Sequence, residues 1–381
     1  MSFSSFDIAI VGAGASGMQL AVALTEDPKF NNKEILIIES SGKNKNDRTW
    51  CFWEKGKGRW DEIIYRKWDE TRFHTGNRSL DLSLSPYSYK MLRAIDFYKY
   101  CQDILRQHPN VTWVKDEVKD VSGADPVLIR GENTYQAKLV FDSRVHPDFH
   151  EATDSSIRLL QHFKGWVIET EEDVFDPNRF VMMDFRLIWK DSTSFTYILP
   201  FSQRRALVEF TLFSPSLLND DEYESMLRTY IADYLGLSEY RITDVETGII
   251  PMSDYPFHQV NTKNHIRIGT AGSWVKPSSG YSFKNSGKNI KKVIENMKAG
   301  KSPVRGLLSP KFRLYDAVFL NVLYHHNELG PRIFSDMYSK NPPQRILKFL
   351  DEETSLMEDV KIISSFQKGL FTRAFLRTVF R

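Results

Sequence analysis

The sequence predicts an α/β protein that opens with a parallel βαβ unit, is interrupted by a β-rich segment, and ends in a helical, basic region. Three observations carry this reading. The first is the run Asp7-Ile-Ala-Ile-Val-Gly-Ala-Gly-Ala-Ser-Gly-Met18, closed by Ile35-Leu-Ile-Ile-Glu39. The second is a set of apolar and β-branched segments between about 160 and 215, including Trp166-Val-Ile-Glu-Thr170 and Ala206-Leu-Val-Glu-Phe-Thr211. The third is helical patterning from about residue 284 onward, where basic residues accumulate.

Each part of the opening unit has a physical role. Ile8 to Val11 is a short apolar run that reads as a buried parallel strand. Gly12 permits a tight turn, Gly14 lets the backbone approach a pyrophosphate, and Gly17 lets the following helix pack closely on the strand. The uncompensated N–H groups and positive dipole end of that helix favour phosphate. Glu39 ends the second strand 22 residues after Gly17, where a carboxylate can accept hydrogen bonds from a ribose diol. Together these parts predict a dinucleotide site.

Further along, a helix is expected over Asp96–Gln107, strands at Val111–Val114 and Tyr135–Phe141, a helix over Asp221–Leu235, and a strand at Ile266–Gly269. At 381 residues the chain exceeds one ordinary α/β domain, and 13% aromatic content is ample for a large core. Cys51 and Cys101 have no metal-ligand spacing and read as small buried hydrophobes in a reducing compartment. No metal site is expected. The N-terminus enters the first strand within a few residues, so no cleavable signal is expected, and no apolar run is long enough to span a bilayer.

The net charge of +2 conceals an asymmetry. Lys284 to Arg313 carries seven Lys and two Arg against the single Glu295, and Lys361 to Arg381 carries five basic residues and no acid. On a helix, Phe371, Phe375, Leu376 and Val379 share one face while Arg373, Arg377 and Arg381 line another. Two readings fit this pattern: an interfacial helix on anionic lipid, or a terminal helix docked on the core with a solvated basic face. Nucleic acid is not expected as a partner, because the basic segments lack a binding motif or an aromatic platform.

The segments Asp47-Arg-Thr-Trp-Cys-Phe-Trp53, Phe141-Asp-Ser-Arg144, Leu160-Gln-His-Phe-Lys-Gly-Trp166, Met183-Asp-Phe-Arg186, Tyr197-Ile-Leu-Pro-Phe-Ser202, Ile250-Pro-Met252 and Gly269-Thr-Ala-Gly-Ser-Trp-Val-Lys-Pro-Ser-Ser-Gly-Tyr-Ser-Phe283 add a more specific signal. With the opening motif and Ala206 to Thr211, the chain resembles the bacterial lycopene β-cyclases, flavoproteins similar in fold to aromatic hydroxylases and geranylgeranyl reductases. The resemblance implies a Rossmann-type FAD-binding domain in two parts, 1–150 and 261–290. It further implies an inserted β-rich substrate domain over 151–260 and a helical region over 291–381 that contacts membrane.

FAD would be held by Gly12, Gly14, Gly17 and Glu39, with Arg48 approaching the flavin, Arg93 near the pyrophosphate, and Asp142 and Gly272 marking later contact regions. Ser143 stands where hydroxylases have glycine and Thr270 where they have aspartate, departures that weaken a monooxygenase reading. Glu209 matches the carboxylate the family uses as catalytic acid/base, and Asp184 is a weaker candidate for a second carboxylate. Trp50, Phe52, Trp53, Trp274, Tyr281 and Phe283 are candidates to line a polyene tunnel.

Because lycopene and its cyclic product are isomers, the reaction has no net electron transfer. The acid must stay neutral in an apolar pocket, and reduced FAD, with NAD(P)H needed only to establish that state, would stabilise a carbocation. Direct proton delivery by reduced flavin stays open at this point. The implied substrates are lycopene and other acyclic carotenoids, and the implied location is cytoplasmic, peripheral on the inner face of the cell membrane. A prenyl reductase or monooxygenase and a non-catalytic carotenoid carrier are the alternatives.

Overall fold

The computed structural model describes residues 4–146, 149 and 156–380. Arg381, assigned above to a basic helix face, and part of the segment around the 150/151 boundary lie outside them. The opening apolar runs become β1 (Ser4–Val11) and β2 (Ile35–Glu39), parallel and in register from Ile8 opposite Ile35 to Val11 opposite Ile38. Both strands are covered on their two faces, which is why Ile8–Val11 and Ile35–Ile38 are continuously apolar rather than alternating. Between them runs α1 (Ala15–Glu26). The first sheet has the order β8 (Val111–Lys115), β2, β1, β11 (Thr134–Asp142), β10 (Val127–Arg130) and β9 (Asp120–Ser122), and the late strand β17 (His265–Arg267) pairs parallel with β11. The α1 side of this sheet is closed by α2 (Ala94–Leu105) and by α4 (Phe283–Lys298), which returns from late in the chain to pack on α1.

The second sheet has the order β16 (Arg241–Ser253), β12 (Arg158–Glu169), β15 (Arg205–Ser214), β14 (Thr193–Pro200), β13 (Arg179–Asp184), β5 (Glu70–His74) and β6 (Ser79–Ser83). Here the architecture departs from the sequence-based boundary at residue 150. Residues 70–83 belong to this sheet, because β5 adds parallel to β13 and buries Phe73 in the same core. A three-stranded sheet, β3 (Thr49–Lys55), β7 (Tyr87–Arg93) and β4 (Arg66–Trp68), joins the two halves. The Arg48–Trp53 segment is therefore largely a strand, with Trp50 and Phe52 packing on Phe283, Trp50 also on Phe97, and Trp53 on Tyr281.

One face of the second sheet packs on α3 (Asp220–Asp233), whose N-terminus carries a reciprocal capping box between Asn219 and Glu222. The other face is covered by α5 (Pro310–His325), α6 (Gly330–Lys340), α7 (Pro343–Leu350), α8 (Leu356–Ile363) and α9 (Lys368–Val379). These helices are fastened to the nucleotide half by buried charge. Lys276, fully buried, bonds to Asp316 at 3.0 Å and Glu352 at 3.2 Å. Trp53 donates its indole N–H to Asp351 at 2.8 Å. Replacing Lys276 with Met leaves Asp316 buried without its cation, so stability should fall by about 3–5 kcal/mol. Chemical denaturation measures this, and a change within the scatter of the measurement would show that these helices are not held by that lysine.

Candidate active site

The nucleotide end of the site is built by backbone constraint. Gly12 adopts φ +90°, and a Cβ there would meet the Ser143 hydroxyl at 2.0 Å. A Cβ on Gly17 would meet the Gly12 carbonyl oxygen at 2.0 Å, so the helix can lie this close only without a side chain. Around Gly14, by contrast, a Cβ would find nothing within 4 Å, and no side chain caps the α1 N-terminus that it begins. The free amide ends of α1 thus border open space, a cradle suited to an anion.

Glu39 sits beside this loop, accepting from the Ala13 N–H at 2.7 Å and from the N–H and hydroxyl of Ser41. Burial pushes its carboxyl up, but the Ser41 and Ala13 amides, the Lys43 charge and the Ser41 hydroxyl together hold it below the usual carboxylate range. Arg48 lines the cavity described below, together with Lys43, Gly14 and Gly17. Arg93 does not, because its guanidinium is committed to Asp96 at 2.7 and 3.1 Å and lies over the Tyr65 ring.

Asp142 is fully buried at the end of β11 and bonds to His265, Arg144 and Arg267. Burial raises its carboxyl, yet these three partners hold it at about 2. It organises the junction of β11 and β17, while its neighbour Ser143 faces the cavity. In the late glycine motif the same division holds. Gly272 is a packing position, where a Cβ would meet the Arg267 carbonyl oxygen at 2.5 Å, and Gly269 and Thr270 line the cavity.

From the α1 cradle a single cavity of about 1020 Å³ extends past the second sheet to α8 and α9, at the upper end of small-molecule sites, which span about 300–1,000 Å³. Along β15 the alternating residues Leu207, Glu209, Thr211 and Phe213 line it, while Ala206, Val208, Phe210 and Leu212 enter the core on the α3 side. The period-two geometry of the strand therefore sends Glu209 inward to the cavity. Glu209 is 9% exposed and accepts one hydrogen bond, from the Thr211 hydroxyl at 2.8 Å. Burial, reinforced by the nearby Glu246, pushes its carboxyl from 4.5 up to about 8, so at neutral pH it is a proton-carrying acid.

Glu246, on β16, also lines the cavity and was not among the residues singled out in the sequence. Its signal was the alternation Glu246, Gly248, Ile250 on one strand face, next to the quoted Ile250-Pro-Met252 segment. Asp184, the second carboxylate considered from sequence, is instead paired with Arg186 and Tyr230 and does not reach the cavity. Of the six aromatic residues proposed to line a tunnel, Trp50, Tyr281 and Phe283 do so, whereas Phe52, Trp53 and Trp274 do not border this cavity and pack in the core. Tyr89, Tyr197 and Tyr281 form a hydroxyl chain at 2.9 and 3.2 Å beside Cys51. Burial pushes the Cys51 thiol up to about 12, so it is not a nucleophile at neutral pH. Among the described residues no cluster of His, Cys, Asp and Glu has the arrangement of a metal site.

The fold is shared with several solved structures. A geranylgeranyl bacteriochlorophyll reductase-like protein from Thermoplasma acidophilum is 15% identical, with 98% of this chain and 99% of that chain covered and a TM-score of 0.61. The flavin-dependent brominase Bmp2 is 12% identical over 91% of this chain and 93% of that one, with a TM-score of 0.61. A mutant of halogenase PltM in complex with FAD is 12% identical over 97% and 85%, with a TM-score of 0.58. At these identities the likeness concerns fold alone. No curated protein sequence matches the chain. The family model described as lycopene cyclase protein matches residues 7–379, and the chain therefore belongs to the lycopene cyclase family.

Proposed function

We propose that this chain is a lycopene β-cyclase that binds FAD and closes the ends of lycopene into β-rings, giving γ-carotene and then β-carotene, by acid/base chemistry without net redox change. The observation that carries this reading is Glu209, a carboxyl biased toward its neutral form in one long apolar cavity continuous with the nucleotide cradle. The Glu209 proton adds to C2 of the terminal alkene and leaves a tertiary cation at C1. The C5=C6 electron pair then forms the C1–C6 bond, moving the cation to C5. Loss of the C6 proton restores C5=C6, and the Glu209 carboxylate takes that proton back.

The residues present fit FAD. The open α1 amide end, the space at Gly14, and the cations Lys43 and Arg48 suit a pyrophosphate and a flavin edge, and Glu39 stands beside the loop. FAD in its reduced, anionic form would supply negative charge near the cation, with NAD(P)H required only to establish that form. Arg93 and Asp142, already satisfied by protein partners, are supports of this site in the present reading rather than direct ligands.

The cavity reaches a surface suited to taking a polyene from lipid. Val360, Ile363, Lys368 and Phe375 border it, and on the same two helices and at the end of the second Leu356, Met357 and Phe380 are 68%, 76% and 80% exposed. Lys361 on α8 and Arg373 and Arg377 on α9 are exposed as well. Both readings of the terminal helix thus meet in α9: Leu370 and Ala374 dock it on the core, while Phe375, Leu376, Val379 and Phe380 stay outside. Among the described residues no helix is long and apolar enough to cross a membrane. The exposed apolar and basic residues of α8 and α9 support a peripheral position on an anionic bilayer, which we propose to be its cytoplasmic face.

Four outcomes test this proposal. In lycopene-accumulating cells the wild type should make β-carotene, and Glu209→Gln should lower turnover roughly 10²–10⁴-fold, the scale of a lost general acid, while retaining FAD; equal pigment conversion by the two would remove Glu209 from the chemistry. Activity with wild-type protein should persist through neutrality and fall as pH rises through about 8. The same upward shift means that its stabilising contribution is complete below the ordinary value of 4.5 and is lost as pH rises toward 8, a loss that Glu209→Gln should not show. Met357→Asp with Phe380→Asp should abolish flotation with phosphatidylglycerol vesicles without unfolding the protein, because both side chains are exposed. Unchanged flotation would place the anchor elsewhere. Deleting Phe366–Arg381 is the poorer test, since it also removes the buried Phe366, Leu370 and Ala374.

A further inference from the structure

Glu209 and Glu246 occupy one rung of the second sheet. Gly165 on β12 is directly opposite Glu209 on β15 and, on its other side, directly opposite Glu246 on β16. Directly paired residues project from the same sheet face, and both carboxylates border the cavity. Neighbouring strands lie about 4.8 Å apart, so the two backbones are separated by about 10 Å with one position between them. That position has no side chain. A Cβ on Gly165 would stand 3.2 Å from the Glu209 Cβ and 2.9 Å from the Leu207 Cδ1.

The two carboxylates are held differently. Both oxygens of Glu246 accept from Thr49, Oε1 from the backbone N–H at 3.0 Å and Oε2 from the hydroxyl at 2.7 Å. Glu209 receives a single neutral donor. Donors directed at both oxygens favour the anion, and of the pair it is Glu246 that has them. Burial raises the Glu246 carboxyl, and the two Thr49 donors and the Arg48 charge oppose that rise without cancelling it, whereas Glu209 has only the Thr211 hydroxyl to oppose its own. The other titratable or charged groups facing the pair are Arg48 and Asp244 on the Glu246 side, Cys51 near both, and Tyr197, which pairs with Glu209 across β14.

We propose that Glu246 is a second functional carboxylate of this site, an anion fixed by Thr49 and set across the gap at Gly165, which keeps Glu209 in its proton-carrying form and directs negative charge toward the cation. The proton-transfer steps stay on Glu209, and Glu246 acts through its charge without exchanging a proton with substrate. This role in the cation's stabilisation rests on the β-cyclase reading; the coupling of the two carboxylates does not.

The test follows the protonated-carboxyl infrared band of purified, FAD-loaded protein as a function of pH, with Glu209→Gln identifying the band, beside the pH profile of lycopene turnover. In Glu246→Gln both the band and the alkaline limb of kcat/KM should move down by about one pH unit, as expected on removing a nearby like charge, and turnover at neutral pH should fall roughly 10²-fold. Glu246→Asp, which keeps the charge and a carboxylate acceptor for Thr49, should leave the band near its wild-type position. An unmoved band in Glu246→Gln, or equal displacement in the Gln and Asp variants, overturns the proposal. If the band moves as expected while wild type converts no lycopene, the paired rung stands and the β-cyclase assignment falls.

Discussion

The proposed chemistry depends on keeping one carboxyl group away from water. A carboxylic acid in solvent gives up its proton far below neutrality and cannot protonate an alkene. Burial removes the solvation that makes the anion stable, and only then does a glutamate still carry its proton at neutral pH. The second sheet supplies the wall, with Glu209 on the same strand face as Leu207 and Phe213, and the C-terminal helices supply the roof through Phe334, Met337, Phe366 and Phe371. The roof stays in place through buried ion pairs, notably Lys276 between Asp316 and Glu352. Remote charge pairing and local proton affinity are thus linked parts of one arrangement.

The nucleotide half contributes position. Its βαβ unit brings the open end of α1 to the same cavity, and α4 returns from late in the chain to lock against α1 through the Ser16–Ser286 hydroxyl contact at 2.8 Å. In a redox enzyme of this fold such a cradle delivers electrons to a substrate. In the reading proposed for this chain it brings fixed charge to a reaction that begins and ends at the same oxidation level. The opening of the cavity among exposed apolar residues of α8 and α9 answers the remaining physical problem, which is the insolubility of the polyene.

What could be read from the sequence follows from how local each constraint is. The βαβ unit was legible because Gly12, Gly14, Gly17 and Glu39 express strand, turn and helix requirements within 40 residues. For Glu209 the strand was legible from its apolar neighbours, but alternation left its face open, and the pairing of β15 with β12 and β14 decides it. The roles of Arg93 and Asp142 were not, since Asp96, Arg267 and His265 decide them, and two of these lie more than 120 residues from Asp142. Glu246 was hidden for the same reason: its meaning comes from Thr49 and from the register that places Gly165 between β15 and β16. The join of residues 70–83 to the second sheet is likewise a long-range parallel pairing that no local pattern announces.

In the proposed reaction, cyclisation starts with a proton from an exchangeable carboxyl group and ends with loss of a carbon-bound one. Conversion of lycopene by the FAD-reduced protein in D₂O, followed by mass spectrometry of the product, tests this most directly. One deuterium should be gained per ring formed, at C2, with no NAD(P)H consumed in proportion to product. A product carrying two added hydrogens per turnover, with matching NAD(P)H oxidation, would contradict the proposed reaction and make the chain a reductase built on the same fold.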